Sequence, residues 1–188
     1  MSRILLLPVG SVEDEVLTVL GQRLHQLLDW EIRRGVPLQT PAAAFNAERK
    51  QYEALQVMRT VAEAVPDDAT RVLGIMEEDL SIPMLTFVFG QAQLRGRVAL
   101  MSLARLRQGF YGLPANKELM MTRVVKEALH ELGHTFGLVH CPTPSCVMTL
   151  ANDIQHVDIK EIEFCGGCAV LLRDAQRAYA MNVEKEAL

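Results

Sequence analysis

No apolar run in the 188-residue sequence approaches the ~20 residues that a helix needs to cross a bilayer. The opening stretch, Met1-Ser-Arg-Ile-Leu-Leu-Leu-Pro-Val-Gly, is apolar only briefly and has no small-residue cleavage site, so it reads as a first strand rather than a secretion signal. Positive charge is also in short supply: 19 Lys and Arg stand against 23 Asp and Glu, for a net charge of -4. That balance argues against nucleic acid or an anionic membrane as a partner held by bulk electrostatics. Cysteine is absent from the first 140 residues, and all four (Cys141, Cys146, Cys165, Cys168) crowd into one short C-terminal stretch. Disulfides spread through a secreted domain would be distributed differently, so the cytoplasm is the expected address and metal binding the expected use of the thiols. Internal repeats, low-complexity tracts and linkers are missing too. The length suits one domain with a sizeable core, or two lobes about a cleft.

What is present is mostly periodic. Residues 4–9 form a short apolar run ended by Gly10, as a buried strand would. Val12, Val16, Val19, Leu20, Leu24 and Leu27 recur at helical spacing and predict an amphipathic helix over 12–28. A strand is expected within 30–37 and a helix over 48–64, closed by Pro66-Asp67-Asp68. Further strands are expected at 71–76, 84–89 and 97–103, the last two joined by a glycine-containing link. Asn116 is a suitable N-cap for a long helix over 117–136, and Gly137 can end it in the left-handed conformation. An irregular stretch and a final helix over about 168–183 complete an α/β (α+β) chain. The expected organisation is one catalytic domain, with an N-terminal lobe over about 1–137 and a small C-terminal lobe over about 138–188.

The chemistry lies in His130-Glu131-Leu132-Gly133-His134-Thr135-Phe136-Gly137-Leu138-Val139-His140. Residues four apart share one helix face, so His130 and His134 can bind the same ion. On a continuous helix His140 would point about 80° off that face and lie about 9 Å beyond His134. A sharp turn at Gly137 lets His140 return as a third ligand. Three neutral imidazoles leave one position open, as a catalytic zinc requires, and Glu131 stands beside it as a base for the attacking water. Five such positions coincide by chance on the order of once in 10⁵ sequences of this length, far less often than a bare HExxH.

The histidine and glycine pattern resembles the metzincin clan of zinc peptidases. With Cys141 directly after His140, then Cys146-Val147-Met148 and Cys165-Gly-Gly-Cys168, it is similar to the archaemetzincin (archaelysin) family, whose motif runs into four cysteines. Arg49-Lys-Gln-Tyr52 and Phe87-Val-Phe-Gly-Gln-Ala92 share a looser likeness. The resemblance implies a metzincin-like fold, with a twisted mixed sheet and backing helices above a cleft and a small lobe below it. It implies that Met148 lies in a turn beneath the catalytic zinc, and that Cys141, Cys146, Cys165 and Cys168 bind a second, structural zinc. Thiolates paired as Cys-x4-Cys and Cys-x2-Cys suit a closed tetrahedral site; a redox pair at Cys165/Cys168 and two disulfides are the alternatives. The expected function is a zinc-dependent peptidase, an aminopeptidase or short-peptide hydrolase among the options. The alternative is a zinc-stabilised binding protein with little proteolysis. For 97–103 the readings are substrate pairing by strand addition or a buried strand with no ligand role. Glu77, Glu78 and Asp79 are read as a solvated acidic turn, with capture of a substrate's free amine as the alternative. His25 and His156 are read as surface residues, no tyrosine before Tyr179 follows Met148 as a further ligand, and no propeptide latency is expected. A peptide or protein substrate is the expected partner, and the chain is expected to be a monomer.

Overall fold

In the computed structural model, residues 3–66 and 69–186 are described; Asp67 and Asp68, in the turn expected after the second helix, lie outside them. The first half alternates strand and helix: β1 (Arg3–Val9), α1 (Asp14–Leu28), β2 (Glu31–Arg34), β3 (Phe45–Asn46), β4 (Gln51–Glu53), α2 (Ala54–Glu63) and β5 (Arg71–Met76). There follow β6 (Leu80–Ile82), β7 (Leu85–Val88), β8 (Gly90–Ala92) and β9 (Val98–Ser102). The helices α3 (Lys117–Thr135), α4 (Ile154–Ile159) and α5 (Gly166–Glu186) complete the order.

A five-stranded sheet runs β2-β1-β5-β9-β8, parallel except for β8, which pairs antiparallel with β9 at the edge. Its inner strands are apolar on both faces because both are covered. Ile4, Leu6, Leu73, Ile75, Ala99 and Met101 point to the side of α1 and α3. Their neighbours Leu5, Leu7, Val72, Met76, Val98 and Leu100 point to the side of α2. A smaller sheet, β3-β4-β6-β7, caps that second side. The core beneath α1 and α3 continues into Cys146, Val147, Met148, Val157, Cys168 and Leu172 from the C-terminal region.

Two differences from the sequence reading bear on the site. The helix expected from residue 48 starts at Ala54, because Lys50 takes a positive φ of 53° and residues 51–53 join the small sheet. The Arg49 guanidinium fixes that turn by donating to the carbonyls of Ile82, Leu85 and Thr86. The strand expected at 97–103 is β9, which is interior rather than an edge. The edge is β8, whose Gly-Gln-Ala sequence has too little apolar or branched character to announce a strand.

Candidate metal and catalytic centre

Helix α3 carries the first half of the site. Asn116 caps it as expected, its side chain accepting from the Leu119 N–H at 3.0 Å. At the other end Gly137 has a φ of +95°, the Gly137 N–H bonds the His134 carbonyl, and the Leu138 N–H bonds that of Gly133. The turn brings His140 back, so that the three imidazole centroids lie 4.7 to 5.3 Å apart. The ligand atoms of His130, His134 and His140 all fall within 4.8 Å of one another.

The hydrogen bonds around two of these rings decide what they can hold. His130 Nδ1 meets the Val147 carbonyl at 2.9 Å and His134 Nδ1 meets the Leu138 carbonyl at 2.8 Å. A carbonyl only accepts, so Nδ1 carries the proton in each ring and Nε2 presents a bare lone pair. Those two Nε2 atoms are 3.1 Å apart. Facing lone pairs at that distance repel unless a cation lies between them. A tetrahedral zinc with bonds of roughly 2.0 Å would separate two nitrogens by about 3.3 Å. Burial, with the Lys160 charge nearby, holds the His130 imidazole well below its usual pKa, and burial also lowers His134 and His140. All three are thus ready to bind metal.

Glu131 follows the first ligand and borders the same cleft. Its carboxyl is pushed well above the ordinary range by burial and by the Glu127 carboxylate, with Lys160 opposing; a dication on the imidazoles would act in the same sense as Lys160. The carboxyl lies against Gly90 of β8, where an added Cβ would come within 2.6 Å of Glu131 Cγ and Oε1. Met148 is fully buried under α3, and a Cβ on Gly133 would come within 2.4 Å of its sulfur. Gly90, Gly133, Val147 and Leu138 thus all serve the site. The sequence reading missed these roles because backbone carbonyls carry no signature and close approaches at glycine show only in the fold.

The four thiols meet as well. Cys141, Cys146, Cys165 and Cys168 place their sulfurs within 4.8 Å of one another, and none is in a disulfide. Cys141 and Cys165 Sγ are 3.7 Å apart, against about 3.8 Å for two thiolates on a tetrahedral zinc with bonds of roughly 2.3 Å. The backbone N–H of Cys168 and the neighbouring thiols bring the Cys165 thiol down to about 6, so a thiolate is at hand.

The cleft measures about 610 Å³ and is lined by β7 and β8, by His130, Glu131, His134 and His140, and by Leu150, Ala151 and Asn152. The acids considered for binding a free amine are elsewhere: Asp79 makes a two-pronged pair with Arg105, and Glu77 pairs with Arg107. His25 and His156 are exposed and outside the cleft, as expected. Tyr179 packs on Trp30 and Arg71.

Residues 12–174 match the model of peptidase family M54. The archaemetzincin of Methanocaldococcus jannaschii is 40% identical over 92% of this chain and 93% of its own, and that of Pyrococcus furiosus is 37% identical over 88% and 89%. Among solved structures, the archaemetzincin of Methanopyrus kandleri superposes with a TM-score of 0.83 at 34% identity, covering 94% of this chain and 96% of that one. A zinc-dependent peptidase from Methanocorpusculum labreanum gives 0.82 at 30% identity, covering 90% and 99%. The chain therefore belongs to peptidase family M54, the archaemetzincins, and is a zinc-dependent peptidase.

Proposed function

We propose that His130, His134 and His140 hold the catalytic zinc, that Glu131 is the general base, and that Cys141, Cys146, Cys165 and Cys168 hold a structural zinc. The observation that carries the catalytic assignment is the pair of unprotonated Nε2 atoms facing each other at 3.1 Å beside Glu131. Zinc at the imidazoles supplies Lewis acidity, polarising the scissile carbonyl and lowering the pKa of bound water. The chain's own residues do the rest. The Glu131 carboxylate takes a proton from the attacking water and delivers it to the leaving amine nitrogen. The unpaired edge of β8 accepts an extended substrate by strand addition, which holds the scissile bond over Glu131. None of Glu77, Glu78 and Asp79 lines the cleft, and Glu77 and Asp79 are committed to arginines, so support goes to a peptide running through the cleft rather than to one held by its free amine.

We also read residues 1–188 as one catalytic domain, because one core passes from α1 and α3 into the cysteine-bearing region. The cleft is complete within one chain, in keeping with a monomer, and four gathered free thiols favour a reducing compartment such as the cytoplasm. The net charge of -4 speaks against nucleic acid as a partner.

The test pairs metal analysis with a peptide library. About two zinc ions per chain are expected from the two ligand groups. Glu131→Gln should keep both ions and lose about 10²- to 10⁴-fold in cleavage. Wild type and variant equally inert across the library, with zinc bound in both, would sink the catalytic reading.

A further inference from the structure

Glu127 lies one turn before Glu131 on α3, on the same face, and Lys160 follows directly after α4. Their side chains form an ion pair, Lys160 Nζ to Glu127 Oε1 at 3.0 Å, and are 1% and 3% exposed. Both nevertheless border the cleft. Both bear electrostatically on the Glu131 carboxyl, but neither takes part in the proton transfers. The packing of α3 against α4 has other polar ties. Arg123 already makes a two-pronged bond to Asp158, and Lys126 Nζ donates to the carbonyls of Val157 and Asp158. A buried pair can often be exchanged for apolar residues without loss of stability, so its presence at the wall of a cleft calls for another use.

Among the described residues, one of the three Lys160 N–H bonds has a protein acceptor and Glu127 Oε2 has no protein donor. The pair therefore offers spare donors and a spare acceptor side by side. Its charges cancel, so it gives an ion no net attraction, and Glu131 alongside repels an anion. The cleft is otherwise walled by apolar side chains, among them Ile82, Leu85, Phe87 and Phe89. A ligand that satisfies this arrangement is apolar along its length and ends in an uncharged group that both donates and accepts. A phenol or a carboxamide does so.

We infer that Glu127 and Lys160 form the floor of a specificity pocket that selects a substrate with a tyrosine or glutamine side chain on the leaving-amine side of the scissile bond. The choice of side rests on the reading of Glu131 as the group that protonates the leaving amine: that residue lies against Glu131, and Glu127 is one turn further along. A site built to hydrogen-bond a hydroxyl discriminates strongly against the analogue that lacks it, because its own polar groups are then left unpaired.

The test measures binding, independently of turnover. Zinc-loaded protein is titrated with short succinyl-type peptide hydroxamates, HONH-CO-CH2-CHR-CO-peptide, whose hydroxamate anchors the register on the metal and places the first side chain R on the leaving-amine side. The first side chain is that of tyrosine, phenylalanine, glutamine, methionine, glutamate or lysine. Tyrosine is expected to bind about 10- to 100-fold tighter than phenylalanine, and glutamine than methionine by a similar factor, with glutamate and lysine weaker than tyrosine. In Glu127→Leu/Lys160→Met, which removes both charges together and leaves neither stranded, the two preferences should vanish or invert while zinc content and helicity persist. Equal affinities within each pair, a preference for glutamate or lysine, no binding by any probe, or a preference unchanged in the double variant would each overturn the inference. The wild-type comparison decides it alone if the double variant does not fold. An intact wild-type ladder on a protein that cleaves no peptide would leave the pocket standing and remove the catalytic reading instead.

Discussion

At the scale of single residues, the candidate catalytic centre depends on what is missing at two glycines as much as on what the proposed ligands supply. Gly90 leaves the space that Glu131 occupies. Gly90→Ala is expected to push the carboxylate aside and lower kcat/KM by roughly 10²-fold, since a displacement of about 1 Å is enough for a loss of that size. Metal analysis should show both zinc ions retained, which separates a displaced base from a lost metal. Gly133→Ala meets the Met148 sulfur and is expected to cost about 1 to 3 kcal/mol of stability by overpacking, read from denaturant unfolding. A third expectation concerns protons. The pKa values of His130, His134 and His140 all lie below the usual 6.5, so protons compete for these nitrogens only at lower pH. Zinc on the histidines should remain bound as pH falls to 6.5 and leave only on further acidification, as stepwise dialysis and metal analysis would show. Loss beginning above pH 6.5 would contradict it.

At the scale of elements, legibility followed periodicity. Helix α3 was readable from cap to terminator because Asn116, the motif histidines and Gly137 are side-chain or conformational signals local to the sequence. Strands β1 and β5 were readable as short apolar runs. Strands β4, β6 and β8 were not, each being three residues long and too short to show a period. The edge position of β8 was hidden because an edge is a property of the whole sheet order. The residues proposed as ligands were legible in the motif, whereas the groups that orient them were not. His130 and His134 are oriented by the carbonyls of Val147 and Leu138, which any residue would present. Val147 lies between Cys146 and Met148, so an ion held by the thiols would bear on the carbonyl that orients His130. Cys146→Ser is accordingly expected to lose the structural zinc and also to weaken the histidine site about 10- to 100-fold in zinc affinity, measured by chelator competition.

At the scale of the whole molecule, one hydrophobic core joins α1, α3 and the sheet to the cysteine-bearing region. Calorimetry of the zinc-loaded protein should therefore show one cooperative transition rather than two, moved to lower temperature by chelators because zinc binds the folded state more tightly than the unfolded one. Two separated transitions would show that the C-terminal lobe unfolds on its own.

The single peptide bond between His140 and Cys141 has a consequence for how the enzyme is born. All the groups proposed for hydrolysis are present once residue 140 has been synthesised, yet the thiol cluster that secures them is incomplete until Cys168 has left the ribosome. On the assignments proposed above, a nascent chain carries the cutting residues before it carries the frame that aims them.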